Sequence, residues 1–244
     1  MPAAASAKLF THAPAFPQWM KDVQAMPAEE QIEAVSKKLM ELNPGFDGRV
    51  LDADGKPVPK IENGVVTELS IITDHVTDIS PMRALVKLRL LKCFGSGPGK
   101  GSLTDLSPLQ GMPLESLSSF NTPVTDLSSL KGMPLTKLYF HGSQVFDLSP
   151  LKGMKLTNLG CKNTPVSDLS LLKEMPLRYL DCEDTPVSNL LPLQDCKSLS
   201  TLMAQGTKVT PASVAALQKA LPNCKIEWDD PAKAKTQPAA SGTK

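Results

Sequence analysis

The stretch CFGSGPGKGSLTDL, residues 93–106, carries the most suggestive chemistry in the chain: Gly95, Gly97, Gly99 and Gly101 crowd around Lys100, ahead of Ser102 and Thr104. A phosphate-cradling loop of the form G-x-x-x-x-G-K-[ST] wraps backbone amides round the phosphates and puts a hydroxyl on the magnesium. Here Gly101 follows Lys100, and Phe94 stands where the first glycine belongs. Ser107 and Pro108 open only a one-turn element where the motif needs a long helix. Residues 95–102 therefore read as a flexible Gly-rich insertion, with Lys100 placed to touch a partner.

Two acidic patterns raise the question of a cation. DADGK, residues 52–56, opens like a calcium-binding loop, but Pro57 and Asn63 occupy the places of the required Gly and Glu, so a turn is expected. Asp78, Asp105, Asp126, Asp147 and Asp168 recur as a ladder whose carboxylates repel when stacked and could recruit a cation. Each lies two residues before a serine, so hydrogen bonding to nearby backbone amides is the simpler reading. The histidines His12, His75 and His141 stand in no nucleophile or metal spacing. Cys93, Cys161, Cys182, Cys196 and Cys224 form no CxxC pair, which favours free buried thiols over a zinc site or disulfide framework. The reading is of a non-enzyme with no cofactor; a small-ligand or cation receptor using the Gly-rich loop or the Asp ladder is the alternative to a binding scaffold.

Charge and hydropathy narrow the partners. Lys and Arg number 26 against 25 Asp and Glu, so no field favours nucleic acid or an anionic membrane. No apolar run reaches the roughly 18 residues of a membrane span, and prolines interrupt the N-terminal MPAAASAKLFTHAPAF where a signal peptide needs an apolar stretch. A soluble, cytoplasmic monomer is expected.

The elements that must position these residues come from a repeat. DLSPLQGMPLESL, DLSSLKGMPLTKL, DLSPLKGMKLTNL and DLSLLKEMPLRYL align Asp105, Asp126, Asp147 and Asp168. Seven units open at Val66, Leu88, Leu114, Leu135, Leu156, Leu177 and Leu199; apolar residues recur at positions 1, 4, 6, 11, 14, 17 and 20, as in Leu156, Leu159, Cys161, Val166, Leu169, Leu172 and Met175. In LTKLYF, alternation sends Leu138 and Phe140 inward and Lys137 and Tyr139 out. SPLKG reads as one helical turn with Ser149 as N-cap, Pro150 in the first position and Gly153 as the stop. No single unit folds alone, so the stack and its caps form together.

This pattern resembles the leucine-rich repeat family (LxxLxLxxNxLxxLxxLxxL), in a short form similar to the internalin type. The resemblance implies an α/β repeat fold: a curved solenoid with a parallel concave sheet and short convex helical turns. Position 9, usually Asn in the family, holds Thr122, Ser143, Thr164, Thr185 and Thr207, whose hydroxyls can still bond the turn.

The domain reading follows: a disordered N-terminus at 1–15; an N-terminal helical cap and hairpin at 16–65; leucine-rich repeats at 66–209; a helix-strand C-terminal cap at 210–229; and a disordered tail at 230–244. In the first cap, Pro27 starts a helix with Ile32, Val35, Leu39 and Leu42 as its stripe, a shorter helix carries Trp19, Val23 and Met26, and ENGVV makes an Asn-Gly hairpin. In the second, Thr210 and Pro211 open a helix carrying Val214, Leu217 and Leu221 before the strand CKIEW.

Outward positions 3, 5 and 7 then define a candidate protein-binding face: Phe94, Phe120, Lys137, Tyr139, His141, Lys162, Tyr179, Asp181, Glu183 and Met203. Aromatics are the usual anchors of protein interfaces, so a protein or peptide partner is expected there. MPAEEQIEAVSKKLMELNPGFDG, IENGVVTELSI, TDHVTDISPMRAL and TPASVAALQKALPNCKIEW are also similar to bacterial leucine-rich repeat segments that follow a serine/threonine protein kinase domain. That likeness, over residues 17–229, implies an adaptor in kinase-linked signalling without kinase activity, since no HRD or DFG motif occurs.

Overall fold

The computed structural model describes residues 15–234 apart from 52–53, 55, 57–58 and 174. Most of DADGK lies outside the described residues. So do the segments expected to be disordered, except at their inner ends: Ala15 already belongs to a helix, and Pro231–Ala234 makes a helical turn whose Ala232 N–H is held by Asp230 Oδ1 at 2.9 Å.

Two helices, α1 (Ala15–Gln24) and α2 (Ala28–Leu42), precede strands β1 (Val50–Leu51), β2 (Lys60–Glu62) and β3 (Val65–Ile72). Asn63 and Gly64 both take positive φ, 51° and 76°, so the β2–β3 hairpin turns as the Asn-Gly pair requires. Both β1 and β2 pair antiparallel with β3. From β3 onward the sheet is parallel through β4 (Leu90–Phe94), β5 (Ser116–Ser118), β6 (Lys137–Tyr139), β7 (Asn158–Gly160), β8 (Tyr179–Asp181), β9 (Thr201–Met203) and β10 (Lys225–Glu227). Between β9 and β10 lies α3 (Pro211–Ala220), capped reciprocally by Thr210 and Ser213; α4 is Pro231–Ala234.

The register shows why the repeat length matters. Ser116 pairs with Lys137, Lys137 with Asn158 and Asn158 with Tyr179, each residue meeting its counterpart in the next unit. Every repeat position thus becomes a column running along the solenoid. The apolar columns close the core: Leu117, Leu138, Leu159, Leu180 and Leu202 are fully buried, as are Val124, Val145, Val166 and Val187. Position 6 adapts to size, with Phe140 seated between Ser119 and Cys161 in neighbouring units. All five cysteines are buried and outside any disulfide, and burial pushes the Cys182 thiol up to about 12, which keeps it protonated and unreactive.

Opposite the sheet, each of the first six units makes a 3₁₀ turn, among them Ser107–Leu109, Ser128–Leu130, Ser149–Leu151 and Ser170–Leu172, and the seventh is followed by α3. The cap is not the serine expected from the sequence. Asp147 Oδ1 accepts the Ser149 N–H at 2.7 Å, and Asp78, Asp105, Asp126 and Asp168 accept the equivalent amides at 2.7–2.8 Å. Ser149 is instead the first residue of the turn, its hydroxyl turned back onto Asp147. These bonds hold the Asp126 and Asp147 carboxyls below their usual range. Where the next unit has Asn189, the same bond forms to Leu191 N–H at 2.9 Å, so the column needs an oxygen acceptor and no charge. On the other side of each strand, the hydroxyls of Thr122, Thr164, Thr185 and Thr207 donate to the carbonyl three residues earlier at 2.6–3.0 Å. Just before them, Asn121, Gly142, Asn163, Asp184 and Gly206 turn the chain in the left-handed region that Asn, Asp and Gly tolerate.

The insertion at 95–102 is pinned at its neck. Gly95 N–H donates to Phe120 O at 2.9 Å, Gly101 N–H to Asn121 O at 3.2 Å and Ser102 N–H to Thr73 O at 2.7 Å. Asp74 holds the Ser96 amide and hydroxyl at 2.8 and 2.6 Å. A Cβ on Gly95 or Gly101 would fall 2.6 or 2.5 Å from Asn121 O, so these two glycines serve close backbone packing and leave no cradle at the neck for a phosphate.

Asn43 joins the N-terminal cap to the first unit. Buried to 2 % exposure at the end of α2, its Nδ2 donates to Leu39 O and Asp78 O at 2.9 and 2.8 Å, while Oδ1 accepts the N–H groups of Thr77 and Asp78 at 2.9 Å each. Leucine would fill the volume but orphan those groups, so Asn43→Leu is expected to cost about 2–4 kcal/mol in urea denaturation; an unchanged midpoint would show that the clasp is dispensable. For the Asp column, Asp147→Asn is expected to keep the melting temperature at pH 7, whereas Asp147→Ala lowers it. Because the folded-state carboxyl lies below its ordinary value, its contribution is present above that value and is lost as pH falls below the ordinary carboxylate range and through the lower folded value. Melting curves over that range should therefore fall more steeply for the wild type than for Asp147→Asn.

Candidate functional site

The residues singled out from the sequence lie in the outward columns of the parallel strands and form one surface. Only some of them come together. Phe120, after β5, packs against Tyr139 on β6 and against His141 just beyond it, with ring centroids 6.2 and 5.0 Å apart; Tyr139 and His141 meet edge to face at 5.9 Å. Such tilted pairs are the geometry that aromatic quadrupoles prefer. Phe94, Tyr179 and Met203 are half-buried on the same face and make no ring contact among the described residues, while Lys137 is exposed. The aromatic row is thus partly covered, less exposed than alternation alone implies, with Phe120, Tyr139 and His141 lying on one another.

Beside the row, Gly160 on β7 leaves a notch into which two side chains lean. A Cβ at that position would sit 2.0 Å from His141 Nε2 and 2.6 Å from Tyr139 Cδ1. Through this notch the imidazole reaches across a whole unit, its Nε2 lying 3.8 Å from Asp181 Oδ2 on β8. Nε2 is buried and has no hydrogen-bond partner among the described residues. Burial lowers the His141 pKa, opposed by the negative charge of Asp181. Asp181 is only 6 % exposed, and burial raises its carboxyl above the usual range despite the Glu183 N–H donated to Oδ1 at 3.1 Å. Lys162 is drawn aside onto Glu183, with Asp184 Oδ2 at 3.9 Å, and that pairing raises its pKa.

The two most exposed large apolar side chains among the described residues escaped the sequence reading. Phe146 and Leu191 are 66 % and 62 % exposed, where neighbouring units place Thr125 or Ser167 and Ser149 or Ser170. A column-by-column comparison of the repeats is the signal that marks them.

No family model matches the sequence, and no curated protein does. Among solved structures, the chain is similar to internalin C2 of Listeria monocytogenes, with a TM-score of 0.62 at 21% identity over 87% of this chain and 94% of that one. The fold is a leucine-rich repeat solenoid. Fainter likenesses join internalin F of the same bacterium (TM-score 0.36, 18% identity, 63% and 66% of the two chains) and a leucine-rich repeat protein of Leptospira interrogans (0.46, 19%, 62% and 51%). In this solenoid no helix of the described residues is long and apolar enough to cross a membrane.

The notch sets a measurable constraint on the leucine-rich repeat face. Gly160→Ala displaces two side-chain tips and no backbone, so the protein is expected to fold with His141 expelled from the notch. Relief of burial then raises the His141 pKa toward the ordinary histidine value, read as a shift of its ring-proton NMR titration to higher pH. A titration identical to wild type would show that Gly160 does not seat the imidazole.

Proposed function

We propose that the chain is a protein-interaction scaffold that binds a protein or peptide segment across the concave sheet. The observation that carries this reading is the row Phe120–Tyr139–His141 running into Asp181: packed aromatic surface continuous with a nearly buried charge. Aromatic anchors beside a few desolvated polar groups are the composition of interface hot spots. The Asp column and the Gly-rich loop, the basis of a cation or small-ligand receptor, are occupied by their own hydrogen bonds to Ser149 and its counterparts and to Thr73 and Asn121. Action as a cytoplasmic monomer in kinase-linked signalling is the setting proposed from the likeness of residues 17–229 to kinase-associated repeat segments.

The test is capture from the native cell followed by mass spectrometry. Tyr139→Ala with Tyr179→Ala is expected to abolish recovery of the partner seen with wild type while leaving the far-ultraviolet circular dichroism unchanged. Both tyrosines are half-buried at the surface of β6 and β8 and lie outside the core columns. Undiminished capture by the double variant would remove the concave face as the site.

A further inference from the structure

The charges on the concave face are not balanced locally, although the chain as a whole is nearly neutral. Toward its C-terminal end, Asp181, Glu183, Asp184, Glu227 and Asp229 gather against Lys162 and Lys225. Lys162 is held by Glu183 and Asp184, and Lys225 by Glu227. Within this group Asp181 is singular. Its side chain is 8 % exposed, and a carboxylate at that depth loses several kcal/mol of hydration unless opposite charge and hydrogen bonds replace it. The fold supplies one backbone donor, Glu183 N–H, to Oδ1. Among the described residues, the only basic group within 4 Å is His141 Nε2, at 3.8 Å from Oδ2. Burial favours the neutral imidazole there, so it brings little charge. Asp181 is therefore under-compensated on a face otherwise suited to a partner.

What lies around it fits one kind of group. Tyr139 and His141 stand on one side, and Tyr179 shares the strand of Asp181. Aromatic faces accept the alkyl stem and the cationic head of arginine or lysine, and a guanidinium or ammonium donates directly to a carboxylate. The same negative surroundings repel phosphate, which disfavours nucleic acid and anionic lipid.

We propose that the end of the concave face formed by Tyr139, His141, Tyr179 and Asp181 receives an arginine or lysine side chain of a basic peptide segment in the partner, Asp181 being its counter-charge. This rests on the interaction-scaffold reading above and names the chemistry of what that scaffold takes. The cation completes the compensation that the free protein lacks, so Asp181 is costly to the unbound fold and contributes on binding.

The probe is a random twelve-residue peptide display library panned on wild-type protein and on Asp181→Asn, whose amide oxygen still accepts the Glu183 N–H. Wild type is expected to enrich peptides with arginine or lysine next to apolar or aromatic residues. Asp181→Asn should lose the basic preference, keep the apolar one and melt no lower than wild type. A synthetic selected peptide should bind about tenfold or more weakly to Asp181→Asn, and equally so when citrulline replaces its arginine, with the difference shrinking as salt is added. The citrulline comparison needs no variant and stands even if Asp181→Asn folds poorly. Selection of peptides without basic enrichment, or the same basic enrichment on both proteins, overturns the proposal while leaving a binding face. Selection of no peptide at all by wild type overturns the scaffold reading and this inference with it.

Discussion

Parallel strands in register are the constraint on which the rest of this protein depends. Because Leu117 pairs with Leu138, and Leu138 with Leu159, each position of the repeat is stacked on its counterpart roughly 4.8 Å away, the spacing of neighbouring strands. A leucine at one position becomes a core column. A serine or threonine becomes a line of hydroxyls bonded to the turns, and an Asp becomes a line of caps. The same stacking turns scattered outward residues such as Phe120, Tyr139 and His141 into a continuous surface. One extra residue per unit would move these columns out of line; the second unit avoids this by placing its additional length in a bulge between the strand and Leu103, with Gly95 and Gly101 closing the neck.

The ends of such a stack expose sheet edge and core, and the chain treats them differently. At the N-terminal end β1 and β2 run antiparallel along β3, and α1 and α2 close the core, fastened by the hydrogen bonds of Asn43 to Thr77 and Asp78. At the other end α3 follows the last full unit and β10 adds a parallel strand of three residues. Short terminal strands of this kind limit the edge open to wrong pairing.

On the concave face one charge departs from the compensation found elsewhere. Core columns are apolar and close-packed, and each cap carboxylate accepts a backbone amide of its own turn. Asp181 is the exception: a buried acid that the fold does not neutralise, beside an imidazole that burial keeps uncharged. Residues whose environment disfavours their charge are characteristic of functional positions. Here Gly160 is the cause, because without a side chain on that unit His141 lies across it and comes within 3.8 Å of Asp181.

The sequence by itself determined the repeat, the parallel sheet, the inward and outward alternation, the hairpin and both caps, because periodicity and capping residues are local signals that stacking merely repeats. It also identified Phe120, Tyr139, His141 and Asp181 as outward residues. Spacing along one chain carries no information on how deeply a side chain sinks among residues one or two units away. Only the tertiary structure decided that the glycine bulge is pinned at its neck, that Asn43 fastens the cap, and that His141 reaches Asp181 through the space left by Gly160. Each of these is a distance between atoms that the backbone register brings together, and register becomes a set of distances only when the units stack.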